Sequence, residues 1–507
     1  MANKVDSNLT GLRYAEEMSL GTLPGSPVWY PLEPNSYDDF GGEISTVARN
    51  PINPSRQRKK GVTTDLDATG GFNQDLTFSN TTRLLQGFFF ADAREKFNSL
   101  PLNGSQVVFT DVDTADDAYT AASGLPTDLI AGDLVLAEGF AEAGNNGIKT
   151  LDTASTATDI EVAEDLVNET PTAAGTLRHI GHEFASSDLD IAVVSGNAQI
   201  QSAANVLDQL GLSVGEWIFI GGDGAGEAFA GDNGFARISD IATDGSTMTF
   251  DKTSFAPFSE TGTGLTVRIF HGDMIRNEDD PANIVRRSYN VERTLGEDIS
   301  GTMSEYLVGA VPNELTINVN QADKVTIDLS FVATDNEQRD GATGVKSGTR
   351  PTLSPESAYN TSSDFYRIKL ASVATDDSDI TPLFAFATQF SLSINNNVTP
   401  NKAVGVLGAF DVSAGTFEVG GELTVYFADV AAVQAVRNNA DITMDFVMTK
   451  DNQGLLFDVP LVALGGGRLS VEQDQAITLP LEQQAAESAF GWTLTMQSFA
   501  YLPDLAM

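Results

Sequence analysis

The sequence predicts a mainly β fold. Apolar and polar residues alternate along many short segments that are rich in Thr, Val, Ile and Phe and are separated by Gly, Asn and Asp. The clearest examples are 315–319, 325–331, 390–394, 417–427 and 442–448. Apolar residues at helical spacing are confined to 199–210 and to two candidate single helices, 82–90 and 431–438. Internal repeats then indicate how these segments are organised.

The repeats predict two copies of one β module. The strand 43–51 is followed by a long polar loop, the strand 71–78 and the first candidate helix, and 390–397 is followed in the same way by 416–425 and the second. The second halves match as well, with 289–295, 313–319 and 325–329 corresponding to 442–448, 467–472 and 477–481. We therefore expect two modules of β-sandwich or barrel type, each with a short helix.

The interruption between the halves of the first module contains a second repeat. Each of its units has an Asn-Gly pair, Asn146-Gly147 or Asn233-Gly234, and Asn-Gly is the favoured two-residue hairpin turn. We expect two small inserted β domains there. The predicted division is 1–97 (module 1, first part), 98–194 and 195–280 (inserted domains), 281–335 (module 1, second part), 336–383 (linker) and 384–507 (module 2).

Composition excludes several classes of protein. The chain has 29 Lys and Arg against 70 Asp and Glu, a formal net charge of −41, which argues against binding to a nucleic-acid backbone. Cys is absent, which excludes disulfides, thiolate metal sites and a Cys nucleophile. Residues 1–8 contain no apolar stretch and no segment approaches the ~18 apolar residues of a membrane span, so we expect neither a signal peptide nor a membrane protein.

Three motifs could carry chemistry, but each has a simpler interpretation. The Gly-rich run 221–226 leads into no helix with Lys-Ser/Thr, so a mobile loop is expected rather than a phosphate site. His179 and His182 have no evident third metal ligand and are interpreted as surface histidines. The acidic run 111–117 lacks the Gly and Glu positions of a calcium loop and is interpreted as a solvated turn. We expect no catalytic residue, cofactor or metal.

Two charged features remain. A basic cluster lies in the long loop of the first module: Arg49, Arg56, Arg58, Lys59 and Lys60. It is either a solvated hairpin tip or an arm that contacts an acidic surface of a neighbouring subunit. The polar face of the predicted module strands carries eight carboxylates and no Lys or Arg: Glu43, Asp75, Glu292, Asp328, Glu418, Glu422, Asp445 and Glu472. Solvent-exposed faces usually mix both signs, so this face indicates a surface that repels an anion.

Several segments carry a resemblance to a known family. In the first module they are the opening segment 14–32 and, after it, a strand, the long loop and the strand that begins Gly-Gly-Phe. In the second module they are 390–397, 415–429 and 454–460. In these segments the chain resembles the major tail tube proteins of long-tailed, non-contractile bacteriophages (siphophages). The resemblance covers about 1–97 and 285–503, and the insert resembles the decorating domains that some such proteins display outside the tube.

The resemblance implies a structural protein of the virion tail, assembled in the host cytoplasm. Each module would contribute strands to a closed β-barrel shared around a ring, and the long basic loop would bridge stacked rings. Two modules per chain favour trimeric, pseudo-hexameric rings, with hexameric rings as the alternative. The implied partners are further copies of the chain and the tail terminator, tape measure and tail tip proteins, with no membrane. We expect the insert to be dispensable, because an insertion in an exposed loop costs little closure entropy.

The acidic face has a physical purpose in such a tube. Duplex DNA carries one negative charge per ~1.7 Å of its axis, and Lys or Arg on the lumen would bind its phosphates during ejection. Carboxylates oppose adhesion over a Debye length of ~8 Å at physiological salt. The eight carboxylates are therefore expected to face the lumen, and DNA is expected to pass without specific binding.

Two other functions are compatible with the composition. An acidic, β-rich surface or adhesin-like protein could bind glycan or calcium through the inserted domains. A polysaccharide-cleaving tail enzyme is the third hypothesis, although no set of residues predicts turnover, and we expect the protein not to be an enzyme.

Overall fold

The fold is described from a computed structural model of the chain, which describes residues 10–52, 54, 57–171, 174–231, 233–298, 301–373, 386–427 and 430–504. The strands before the insert are β1 (Gly11–Glu16), β2 (Tyr30–Leu32), β3 (Pro34–Arg49) and β4 (Lys59–Asp75). The strands of the insert are β5 (Phe109–Asp113), β6 (Ala118–Ala121), β7 (Asp133–Glu138), β8 (Gly147–Thr150), β9 (Asp159–Glu161), β10 (Thr176–Glu183), β11 (Leu189–Val194), β12 (Asn197–Ser202), β13 (Trp217–Ile220), β14 (Gly234–Ile241), β15 (Thr247–Thr253), β16 (Glu260–Thr261) and β17 (Arg268–His271).

The remaining strands follow the insert. They are β18 (Asp273–Arg276), β19 (Tyr289–Asp298), β20 (Gly301–Asn320), β21 (Thr326–Ala333), β22 (Asp335–Arg339), β23 (Phe365–Ser372), β24 (Ala387–Asn395), β25 (Thr399–Lys402), β26 (Ala409–Ser413), β27 (Glu418–Tyr426), β28 (Ile442–Lys450), β29 (Gln453–Gly466), β30 (Thr478–Ala485) and β31 (Thr495–Phe499).

The helices are few and short, as predicted. In the described part of the chain they are α1 (Thr82–Phe89), α2 (Val430–Arg437) and the 3-10 turns Ala143–Asn145 and Gly341–Thr343. The mainly β prediction is confirmed, and both candidate single helices are present. The helical spacing at 199–210 was misleading, because this segment begins inside β12, where alternate residues are buried. Among the described residues, no helix combines the length and the hydropathy of a membrane span.

Two sets of five strands are paired in the same order within one large sheet. Strand set 1 has the order β3-β4-β21-β20-β19. Strand set 2 has the order β24-β27-β30-β29-β28. In each set the helix follows the second strand, and an additional strand, β1 or β23, pairs with the fifth.

The two sets are joined edge to edge by a seam between β20 and β24. Seven residue pairs form this antiparallel ladder, from Glu314 opposite Asn395 to Asn320 opposite Gln389. On one face of the seam Leu315, Ile317 and Leu392 are buried in a core that extends through both sets. The other face of the seam is polar, so the seam continues one amphipathic sheet from set 1 into set 2.

The insert is built on one ten-stranded sheet and one three-stranded sheet. The larger sheet contains strands from both predicted inserted domains, because β7, β8 and β10 continue into β17 and β13. There are nevertheless two hydrophobic clusters, one between Phe109 and Leu177 and one between Phe184 and Ile269. The predicted boundary between 194 and 195 is wrong, because it cuts the β11–β12 hairpin, in which Val194 is opposite Asn197.

The insert packs firmly against strand set 2. Trp217, Phe219 and Phe235 of the insert share a buried cluster with Val447 of β28 and Leu456 of β29. The backbone of Trp217 also forms two hydrogen bonds with the side-chain amide of Gln497, at 2.7 and 3.2 Å. The expectation that the insert is dispensable therefore conflicts with this buried contact, since the side chains of set 2 would be exposed without it.

Candidate assembly surface and polar wall

Six adjacent strands present one continuous polar face, which we call the polar wall. The strands follow the order β4-β21-β20-β24-β27-β30. Buried and open side chains alternate along much of these strands: Ile327 and Leu329 are buried, for example, whereas Asp328 between them is exposed. Because the apolar face is covered by the core, the polar face is the one open to solvent in a single copy of the chain.

The polar wall carries acidic charge without basic residues. Its carboxylates are Asp75, Glu314, Asp328, Glu418, Glu422 and Glu482. No Lys or Arg occurs in the strand segments that form it, namely 70–75, 314–320, 326–333, 387–395, 418–426 and 478–485. A cation lies beside the wall in the β20–β21 turn, where Lys324 Nζ is 2.6 Å from Asp75.

Neighbouring amides orient the central carboxylate of the polar wall. Asn73 of β4 donates a hydrogen bond to Asp328 Oδ1 at 2.7 Å, and Asn318 of β20 donates to Oδ2 at 2.6 Å. Across the seam, Asn395 donates to Glu314 Oε1 at 3.1 Å. These bonds hold the carboxylates by neutral donors, so their negative charge is not cancelled by ion pairing.

Two carboxylates of the polar wall face each other directly. Glu422 of β27 is opposite Glu482 of β30 in the antiparallel register, and both are exposed. Like charges in this position destabilise a sheet. The repulsion between Glu422 and Glu482 therefore reduces the stability of the folded chain.

Replacing Glu482 by glutamine should stabilise the unassembled chain by about 0.2–1 kcal/mol. The change removes the repulsion from Glu422 but keeps the shape of the side chain. The gain should be larger at low salt, where screening is weak. Urea unfolding at two ionic strengths measures it, and Glu487→Gln, an exposed position outside the strands, is the matched control. Equal effects of the two substitutions would contradict the explanation.

The structure places the eight predicted carboxylates in three different environments. Four of them, Asp75, Asp328, Glu418 and Glu422, lie on the polar wall. Glu43 lies on the projecting part of β3 opposite Asp67, and Glu472 is exposed in the connection after β29.

Glu292 and Asp445 do not fit the prediction of a lumen-facing side chain. Each is 1% exposed. Glu292 accepts a hydrogen bond from Tyr306 and lies 2.8 Å from Arg350, and Asp445 accepts from Arg367 at 3.0 Å. Their strands, β19 and β28, are covered on both faces, so these charges are neutralised inside the protein and cannot face a channel.

Sequence reasoning missed two carboxylates of the polar wall, Glu314 and Glu482. Both could have been found from alternation, because Glu314 precedes Thr316 and Asn318 by steps of two, and Glu482 lies between the buried Leu481 and Gln483. The prediction of an acidic face without Lys or Arg therefore rests on a partly different set of residues.

The ends of β3 and β4, residues 42–49 and 59–66, form a two-stranded arm that projects from strand set 1. Its exposed apolar side chains include Ile44, Val47 and Val62, each more than half exposed. An isolated two-stranded hairpin is only marginally stable in water. The arm is therefore the kind of element that a neighbouring molecule would stabilise.

The basic cluster occupies the tip of this arm. Arg49 is opposite Lys59 in the ladder, and Arg58 and Lys60 are exposed beside them. Arg56 lies outside the described residues. The base of the arm carries acidic residues instead. One of them, Asp65, forms an ion pair of 2.6 Å with Lys402 of β25. Among the described residues, no carboxylate forms an ion pair with Arg49, Arg58, Lys59 or Lys60, so these side chains give the tip a positive charge in a strongly acidic chain.

The three histidines form a buried polar cluster in the insert, and the prediction of His179 and His182 as surface residues was wrong. His182 Nδ1 is 2.8 Å from Asp133 Oδ1, and His179 Nε2 is 3.4 Å from His271 Nε2. Burial opposes ionisation of Asp133, but the facing His179 and His182 lower its pKa to about 2. In the described part of the chain, no group of three or more His, Asp or Glu is arranged to hold a metal ion.

The contribution of His271 to the stability of the chain should become unfavourable as the pH falls below about 6.5, the ordinary pKa of histidine. Burial lowers the pKa of His271 well below that value, with His179 and Lys96 acting in the same direction. Below about pH 6.5 the residue therefore binds a proton more readily in the unfolded chain than in the folded chain. This lowers the free energy of unfolding by up to about 1.4 kcal/mol per pH unit. Urea unfolding at pH 7.5 and 5.5 should show a smaller loss for His271→Gln, and equal losses would rule out His271 as the source.

The other two motifs are structural. Asp223 in the Gly-rich run accepts hydrogen bonds from Tyr501 at 2.6 Å and from the backbone of Asp504 at 2.7 Å, so the loop is anchored rather than free. The acidic run 111–117 is the turn of the β5–β6 hairpin, in which Asp117 accepts from the backbone of Leu166.

Comparison with known proteins gives one finding. A family model described as phage tail tube protein matches residues 7–485. The match includes both strand sets, the arm and the insert. No curated protein matches the chain.

Proposed function

The chain belongs to the phage tail tube protein family, and we propose that it polymerises into stacked rings that form the tail tube of a long-tailed, non-contractile bacteriophage. As a family member it is a structural component of the virion tail. We propose that it acts without catalysis or cofactor, and that DNA passes through the tube during ejection into the host.

The observation that carries the proposal is the seam inside the chain. The seam joins the fourth strand of set 1 to the first strand of set 2. The equivalent edges at the two ends of the sheet have no partner in the described part of the chain: residues 463–466 of β29 are free on the edge opposite β30, and β3 pairs with β4 alone. A second copy can repeat the seam by pairing its β3 with this β29.

Repetition of the seam predicts the symmetry of the ring. We infer that the two strand sets are copies of one module, because they share pairing order and helix position. Each chain then supplies two of six equivalent sectors, so three copies close a pseudo-hexameric barrel. Closure removes the exposed sheet edges that would otherwise cause aggregation.

The polar wall would face the lumen of this barrel. The apolar face of the same strands is covered by the core and by α1, and the insert packs on the outer side of set 2. A lumen with six carboxylates per chain and no Lys or Arg on its strands offers DNA phosphates few cations, and Lys324 beside it is paired with Asp75.

Electron microscopy of concentrated protein or of tails tests the proposal. Averaged images should show stacked rings with a central channel, three copies per ring and six similar inner sectors. A protein that stays monomeric at high concentration, or whose rings lack a channel, would contradict it.

The lumen is tested separately by reversing charge on the polar wall. Phage carrying Asp328→Lys and Glu422→Lys should form tails of normal length but deliver DNA less efficiently. The neutral changes Asp328→Asn and Glu422→Gln are the controls, and their effect should be smaller. Normal delivery with both lysines would place these residues away from the DNA path.

Reversing the charge at the tip of the arm should block stacking and leave the fold intact. The variant replaces Arg58, Lys59 and Lys60 by glutamate, so that the tip repels the acidic surface of the next ring. Single rings should accumulate while the unfolding midpoint stays within the error of the unchanged chain. Reversal of Asp335, an exposed acidic position outside the arm, is the control, and tubes of normal length would remove the inter-ring role.

A further inference from the structure

The connection between the two strand sets acts as a strap across the end of set 1. We use this name for residues 354–361. The backbone of Tyr359 donates to Leu76 at 3.1 Å and accepts from Val325 at 2.8 Å, next to the bond of 3.0 Å that joins Leu76 to Val325. Tyr359, Leu76 and Val325 are each buried, and Val325 has no exposed surface.

The strap is also fastened on both sides of this contact. The carbonyl of Ser354 accepts a hydrogen bond from the side chain of Asn80, and the backbone of Thr361 donates to Asp323 at 2.9 Å. Lys324 and Asn360 form an antiparallel bridge between these bonds. The end of set 1 is thus closed by a segment that belongs, in sequence, to the beginning of set 2.

Set 2 has the same end without a strap. Phe427 donates to Ile477 at 3.0 Å, which repeats the bond between Leu76 and Val325. In the part of the chain that the structure describes, no third segment is hydrogen-bonded to this pair. Ile477 is 37% exposed where Val325 is fully buried, and Tyr426 and Phe386 beside it are exposed as well.

The position of the missing segment follows from the strand order. The strap leads into β23, which pairs with β28, and the corresponding strand of set 1 is β1, which pairs with β19. Lys369 is opposite Asp445 as Arg13 is opposite Glu292, so the two segments are offset by 356 residues there. A β-bulge between Phe365 and Arg367 reduces the offset to 355 for the residues before it. The counterpart of Tyr359 is therefore Lys4, and the counterpart of Asn360 is Val5.

We propose that residues 1–9 of one copy bind across Phe427 and Ile477 of the neighbouring copy in the ring, as the strap binds Leu76 and Val325. This inference rests on the proposed function, since the ring places β1 of the next copy beside set 2 of this one. The segment would cover the exposed apolar side chains at that end and link neighbouring copies beyond the sheet contact.

A disulfide cross-link tests the contact directly, because the chain has no cysteine of its own. Ala476 corresponds to Lys324, and Val5 to Asn360, so Val5→Cys with Ala476→Cys is the pair to introduce. In oxidised tubes it should give chains linked to one another, seen as dimers and trimers on a denaturing gel without reductant. The matched control, Lys324→Cys with Asn360→Cys, should form its bond within one chain.

Deletion of residues 2–9 gives a second measure. The shortened chain should fold with an unchanged unfolding midpoint but lose tubes, and Ile477→Glu should have the same effect. Two results would overturn the inference and leave the proposed function standing. The first is a normal yield of tubes from the deletion variant. The second is that oxidised tubes of the Cys pair contain no linked chains although the control pair forms its disulfide. Failure of the unchanged chain to form rings would instead contradict the proposed function.

Discussion

Replacing Arg237 by methionine should destabilise the chain by about 3–5 kcal/mol, the usual effect of removing one partner from a buried ion pair. Arg237 is 2% exposed and Asp458 of β29 is fully buried. The guanidinium lies 3.1 Å from Asp458 and 2.7 Å from Asp251, and it joins the insert to strand set 2. Without it, Asp458 remains in the interior without a counter-charge.

The protonation of Asp458 distinguishes this explanation from a simple loss of packing. Burial raises the pKa of Asp458 to about 6, against the attraction of Arg237. In the Arg237→Met chain that pKa should rise further, so the folded chain takes up a proton and the stability deficit shrinks as the pH falls from 8 to 5. Urea unfolding of variant and unchanged chain at both pH values measures the deficit.

A second substitution is the control for the same pair. Arg237→Met combined with Asp458→Asn removes both charges and should recover much of the lost stability, because no unpaired charge is then buried. If the single and the double variant are equally unstable at both pH values, the ion pair is not what holds the insert to set 2.

Removing the insert should prevent the rest of the chain from folding into a soluble product. The deletion replaces residues 98–270 by a short Gly-Ser linker, which the antiparallel bridge between Arg94 and Met274 makes geometrically possible. It exposes Val447, Leu456 and Phe499, each of which contributes roughly 1.5–3 kcal/mol when buried. Together with the unpaired Asp458, this loss is comparable to the whole stability of about 5–15 kcal/mol that folded domains have.

Solubility on expression and the circular dichroism of the deletion variant measure this outcome. A version that also carries Val447→Thr, Leu456→Ser, Phe499→Ser and Asp458→Asn should be more soluble, because the uncovered face is then polar. A plain deletion variant that forms tubes like the full chain would show that the insert is an independent decoration after all.

Local patterns predicted many of the strands, but not the order in which they pair. Alternation identified β20, β21, β24, β27 and β28 because each side of a strand repeats every two residues. The repeated sequence of strand, loop, strand and helix correctly placed α1 and α2. Four of the eight predicted wall carboxylates lie on the polar wall because their strands have one buried and one open face.

The wrong predictions share a physical cause. The sequence of a strand does not reveal whether one or both of its faces are covered in the fold. Asp445 alternates with Met444 and Phe446 like a surface residue, but β28 is buried almost throughout because the insert and β23 pack against it. The same holds for Glu292, which Arg350 reaches from 58 residues further along the chain. Contacts between distant segments also explain why the histidines of the insert are buried.

The seam between β20 and β24 also bears on how fast a ring can close. In the three-copy ring proposed above, half of the six joints would be made within a polypeptide, where the two edges are held at a high effective concentration. Only three encounters between separate molecules would then be needed, instead of six. If the two strand sets are copies of one module, as proposed, covalent linkage would also let them diverge: one carries a long cationic arm, and the other has the short β25–β26 hairpin at the corresponding position.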